Sequence, residues 1–162
     1  MNGAHIHLML NHLPIVGMVF ATLTLLAGFL LKNTTVKQTA LGLFVLTAIT
    51  AIPAYISGEG AEEIVEGIAG VSHEDIHHHE DEGKVFLIAS ILTGILALAT
   101  FWLERRKHNM SNMAYVGVFI AAGASLLMGQ KTGTSGGQIR HTEIRPGAVP
   151  AAAPQGSEHD DD

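Results

Sequence analysis

Four long uncharged apolar runs set the limits on what this chain can fold into. They are Leu8 to Leu31, Thr39 to Ile56, Val85 to Leu103 and Met113 to Met128, each close to the roughly 20 residues that a helix needs to cross a bilayer core. Charge is missing from the middle of all four, as expected where one buried charge costs about 2.5–3.5 kcal/mol on insertion scales. Apolar residues make up 48% of the 162 residues and charged ones only 15%, too few to cover four such helices in water. The expected fold is therefore all-α: an integral membrane four-helix bundle over residues 1–145, with short helical segments outside the membrane and a disordered acidic, Pro- and Ala-containing tail over 146–162. The first run has no basic flank and no small-residue cleavage site before it, so it reads as a retained helix rather than a signal peptide.

The connections alternate in character. Lys32 and Lys37 follow the first run, and Arg105, Arg106 and Lys107 follow the third. The excess of cations in these short links assigns them to the cytoplasm and both termini to the outside of a bacterial inner membrane, although Lys84, Lys131, Arg140 and Arg145 fall on the opposite side. Between the second and third runs, Ser72 followed by Asp75 reads as a helix start near His73. At about 1.5 Å per residue, that start projects a stalk of more than ~15 Å before Val85 enters the bilayer. Ala61 to Ile68 is expected as a short amphipathic helix beside it, and the glycine-rich KTGTSGGQIRHTEIR as a loop folding back over the same face.

There is no cysteine, which excludes thiolate metal sites and iron–sulfur ligation and leaves His, Met and carboxylates as the available ligands. A net charge of −6 with no basic stripe argues against a nucleic-acid partner. No nucleophile motif or phosphate-cradling loop points to an independent enzyme. The ten histidines are more informative. His5, His7 and His12 open the first helix, His73, His77, His78 and His79 open the third, and His141 follows the fourth; His108 lies on the other side and His159 in the tail. Imidazoles from three chain segments converging on one face is the arrangement that a haem or metal centre in a bundle requires. Glu59, Glu62 and Glu63, at the end of the second helix, join them there.

Helical spacing selects among these residues. His79 leads at steps of three and four to Gly83, Phe86, Ser90, Gly94 and Ala97, a stripe of mostly small residues, and is expected to face the bundle. His77 and His78 lead toward Asp81 and Glu82 and read as solvated. His5, Met9 and His12 share one face of the first helix and could offer two nitrogens and a thioether. On this reading His12 and His79 are the axial ligands of a b-type haem, with His7 and His141 as substitutes or ligands of a second centre. Arg140 and Arg145 are placed to pair with its propionates. A non-haem site is the alternative: copper on His5, Met9 and His12, or zinc or iron on His79 with Glu80 or Glu59. A further alternative is a non-catalytic accessory subunit of a larger respiratory or photosynthetic complex, docking through Gly17, Ala21, Thr24 and Gly28 or through Gly117, Ala121 and Ala124.

Several short motifs carry a resemblance. The opening HLMLNHLPIVG from His7, the YISG that ends the second helix, the HEDEG from His79 and the GGQIRH ending at His141 resemble an uncharacterised family of small bacterial four-helix membrane proteins with an HPxxVHFP-like opening. Residue 8 is Leu where that family has Pro, and His141 stands nearer the glycine pair. The family is similar in layout to small b-type cytochromes. The family has no settled activity; the placement of the histidines is what leads to the expectation of a membrane electron-transfer subunit with a His-ligated haem near the periplasmic face, exchanging electrons with quinone or another membrane or periplasmic redox protein.

Overall fold

The computed structural model describes residues 2–148; most of the expected tail, including His159, lies outside the described residues. The described chain is helical: α1 (Gly3–Leu10), α2 (His12–Leu30), α3 (Thr34–Val65), α4 (His73–Arg105) and α5 (Ser111–Arg140), followed by one 3₁₀ turn at Thr142–Ile144. α1 and α2 form one span interrupted at Asn11. With α3, α4 and α5 this gives four helices long and apolar enough to cross a membrane, and the chain is a multi-pass membrane protein.

The helices run up and down in chain order, and α2 packs against α5 to close the bundle. The distribution of side chains treats a nonpolar medium as solvent. Val16, Phe20, Leu23, Ile49, Leu92, Ile95 and Ile120 are exposed, whereas Ser90, Thr93, Thr100 and Ser125 are buried. A bilayer gives no hydrophobic drive between helices, so close approach and interhelical hydrogen bonds hold them together. Gly17 lies against Thr47, Gly94 against Ala48, and Gly3 against the backbone of Gly60; a Cβ at any of these glycines would overlap its neighbour. Thr93 Oγ1 and Ser125 Oγ meet at 3.0 Å between α4 and α5.

The two ends of the bundle differ. The close-packed core, built on Met18, Leu25, Leu41, Phe44, Tyr115 and Val118, lies toward the end that carries the basic links. There α2 and α4 are each followed by a lysine with φ of 50°, Lys32 and Lys107, so both hairpins turn through a left-handed residue past the helix end. At the opposite end the helices run on past the apolar runs. The residues from Ala61 to Val65 continue α3 without a break instead of forming a separate helix. Of the glycine-rich segment expected as a loop, KTGTSGGQIR is the last part of α5, and the rest holds the 3₁₀ turn that follows it. Gly136 and Gly137 are helical there and lie close against His79 and Ile144 respectively, where a side chain would crowd the neighbour. Ser72 does precede α4, but its side chain makes no capping bond; the first-turn carboxylates Glu74 and Asp75 sit at the positive end of the helix dipole.

Candidate functional site

The long upper ends of α1, α3, α4 and α5 enclose a cavity of about 440 Å³, within the range of pockets that take cofactor-sized ligands. Its wall is mostly aliphatic, from residues such as Ile15, Ala51, Ile76 and Leu87, and two imidazoles enter it, His7 from α1 and His79 from α4. Their ring centroids are 6.2 Å apart and their planes inclined at 76°.

The two rings are held by the same device. His7 Nδ1 lies 3.1 Å from the carbonyl of Ala54 and 3.1 Å from Ser57 Oγ, and the Ser57 hydroxyl donates back to the Ala54 carbonyl at 2.8 Å. A carbonyl only accepts, so Nδ1 of His7 carries the proton. His79 Nδ1 lies 3.1 Å from Ser135 Oγ, and that hydroxyl donates to the Thr132 carbonyl at 3.1 Å. With its own proton committed, Ser135 accepts from His79. In both rings Nε2 is left as the free lone pair, and among the described residues it has no hydrogen-bond partner. Fixing the tautomer through the second nitrogen is how metal-binding histidines are oriented.

A glycine follows each serine and borders the same histidine. A Cβ on Gly58 would stand 3.8 Å from His7 Cε1, and one on Gly136 would stand 2.8 Å from His79 Cε1. Each hairpin thus contributes a histidine on its first helix and a Ser-Gly pair on its second. The site is a twofold repeat of one arrangement, although the two halves share no continuous sequence pattern.

Asn11, at the break between α1 and α2, also lines the cavity, and its Oδ1 is buried without a hydrogen-bond partner. An unpaired buried acceptor is costly, and a bound group with a donor or water would relieve it. Arg140 stands at the rim of the cavity.

His12 does not join this group. The buried residues of α2 are Pro14, Met18, Ala21, Leu25 and Gly28. Extending that stripe backward by helical steps reaches Asn11 and His7, whereas His5, Met9 and His12 continue into Val16 and Phe20 on the exposed face. The face expected to hold copper ligands therefore points away from the bundle. On α4 the expected stripe is buried at Phe86, Ser90, Gly94 and Ala97, with His79 above it. Glu59 and Glu80 line the cavity at exposed positions.

His141 is also exposed. Its Nδ1 lies 2.8 Å from Glu143 Oε1, and the Glu143 backbone N–H, aided by His141, holds that carboxyl below its usual range. Arg145, expected to meet a propionate, is occupied elsewhere. Its guanidinium pairs with Asp75 at 3.0 Å and donates to the carbonyls of Gln138 and Ile139 at the end of α5. The serines and glycines that hold the two imidazoles were not expected from the sequence; the recurrence of Ser-Gly at 57–58 and 135–136, near the ends of the second and fourth helices, is the signal that could have found them. No family profile, curated protein or solved structure matches the chain.

Proposed function

We propose that the chain is a b-type cytochrome-like electron-transfer subunit, with one haem held between His7 and His79. The observation that carries this reading is a pair of imidazoles with centroids 6.2 Å apart, both lining one cofactor-sized, mostly apolar cavity and each held through Nδ1, which leaves its Nε2 unpaired. That separation brings both imidazoles within reach of one bound group.

The number of ligands favours haem over a bare ion. Structural zinc takes four protein ligands and catalytic zinc three, whereas a porphyrin supplies four nitrogens and leaves two axial positions for protein. An apolar cavity of this volume also exceeds what a lone ion occupies. The residues fit the group: Gly58 and Gly136 leave the histidine edges uncrowded, and the Arg140 guanidinium, which lines the cavity, suits a propionate.

A haem bound here supplies a one-electron couple, and the chain's residues set its surroundings. His7 and His79 fix orientation, the serines raise ligand basicity through Nδ1, and the aliphatic wall excludes water, which disfavours the more charged oxidised state. The opposite end of the bundle holds His108 alone among the described histidines, on a link where its Nδ1 accepts from the Met110 N–H. Electrons are therefore exchanged at the His7–His79 end. By the distribution of cations this end faces the periplasm of a bacterial inner membrane, where quinone or a periplasmic redox protein is the partner.

The test is a reduced-minus-oxidised visible spectrum and a haem-to-protein ratio on detergent-purified protein from haem-replete cells. One haem per chain with a b-type α band is expected. Folded protein that neither carries haem nor takes it up on titration would overturn the reading.

A further inference from the structure

We propose a second, separate site, for a divalent cation of the zinc class, at Glu62, His73 and His77. It depends on nothing bound at His7 and His79.

The connection from Glu66 to Ser72 turns the chain from α3 into α4 and lays the last turn of α3 beside the first turn of α4. His73 and His77 are four residues apart, so they share one face of α4; their ring centroids are 4.5 Å apart. Glu62 reaches across from α3. One ligand atom from each of the three residues lies within 4.8 Å of the others. Donors about 2.0–2.2 Å from a single ion sit about 3–3.5 Å from one another, so side-chain rotations of ~1 Å close the set. His73 and His77 are exposed and Glu62 half-buried, so those rotations meet little packing.

Both histidines of the cluster are also backed by an outer carboxylate. His73 Nδ1 pairs with Glu66 at 3.1 Å, and His77 Nδ1 faces Glu80 at 3.6 Å. Carboxylates on one imidazole nitrogen orient the ring and raise the basicity of the other, as in metal sites where a carboxylate backs a ligating histidine. Two imidazoles and one carboxylate, with no thiolate, suit a borderline cation such as Zn²⁺, and copper would bind the same donors more tightly. Three protein ligands leave a position open to water or to a group brought by another molecule.

The placement gives the ion a structural consequence. Glu62 also lines the cavity between His7 and His79, so a bound cation joins the α3 wall of that cavity to the start of α4 and ties down the intervening connection.

The experiment uses full-length protein purified through a tag without histidines and titrated with ZnCl₂ by calorimetry in a non-chelating buffer. One saturable equivalent at micromolar zinc is expected, weakened at least tenfold in each of His73→Ala, His77→Ala and Glu62→Gln, with no change in His7→Ala or His79→Ala. Zinc should also slow proteolysis within residues 66–72 in the parent and not in His77→Ala. Absence of saturable binding at micromolar zinc, or equal affinity in the three cluster variants, would overturn the site. His73 and His77 are exposed and Glu62 is half-buried; an unchanged thermal transition in each variant confirms that affinity rather than folding is read.

Discussion

Alanine at Gly136 and alanine at Gly58 are the same chemical change at equivalent places in the two halves of the site, and the structure assigns them different outcomes. Both glycines lie inside helices, where Gly→Ala favours the helix by about 1 kcal/mol, so neither change should weaken the fold through the backbone. At Gly58 the new methyl sits 3.8 Å from His7 Cε1, an ordinary contact. At Gly136 it sits 2.8 Å from His79 Cε1 and 3.2 Å from both ring nitrogens. To recover ordinary contact the imidazole must retreat by ~0.6 Å, which stretches its 3.1 Å bond to Ser135 beyond hydrogen-bond range. Site geometry has to hold to about 0.5 Å, and losing an outer-shell partner costs about 10–100-fold in metal affinity. Haem retention in Gly136→Ala should fall by about that factor, measured as the haem-to-protein ratio after dialysis against apomyoglobin, with Gly58→Ala within twofold of the parent. Equal retention in the two variants would refute the reasoning.

Removing either serine should loosen its histidine. Ser135→Ala removes the one side-chain partner of His79 Nδ1 and Ser57→Ala that of His7 Nδ1, while a backbone carbonyl stays near each ring, Thr132 and Ala54 respectively; each variant should weaken haem binding by up to about tenfold, measured by haem titration into apoprotein. Rings inclined at 76° should give the oxidised protein the strongly anisotropic low-spin electron paramagnetic resonance signal of near-perpendicular axial imidazoles, and a rhombic signal of parallel planes would count against this pair. Arg145→Ala breaks a pair with Asp75 that is about one-third exposed and frees two helix-end carbonyls. It should lower stability by about 1 kcal/mol at most in a denaturation series, after discounting for solvent screening, and leave haem retention unchanged, while Arg140→Ala should reduce retention.

The fold was legible because the bilayer demands long uncharged runs, and the chain presents four. The helix ends were less so. Gly133, Gly136 and Gly137 make the end of α5 read as a loop, since each glycine costs about 1 kcal/mol in a helix, whereas in the fold they lie against Ile15, His79 and Ile144 respectively, contacts that the local sequence does not reveal. For the site, His79 could be placed from its own stripe, because Phe86, Ser90, Gly94 and Ala97 fix the phase of α4. The first helix was harder to phase. His5, Met9 and His12 align and look like ligands, yet the same line continues through Val16, Phe20 and Leu23, large residues suited to lipid. Stepping back from the small residues Ala21 and Gly28 leads through Pro14 to His7. Ser57 and Ser135 were hidden for another reason: their role depends on contacts 50 and 56 residues distant, which periodicity along one helix cannot report. Likewise, the four-residue spacing of His73 and His77 is visible in the sequence, but the return of Glu62 depends on how the connection closes.

The central claim is that His7 and His79, from different hairpins, hold one group between them. The most direct measurement is the visible spectrum of haem-replete protein with His7→Ala, His79→Ala and His12→Ala prepared in parallel. Loss of the six-coordinate b-type spectrum in the first two, and a parental spectrum in His12→Ala, is the expected result. A spectrum that survives loss of His7 and disappears with loss of His12 would contradict it.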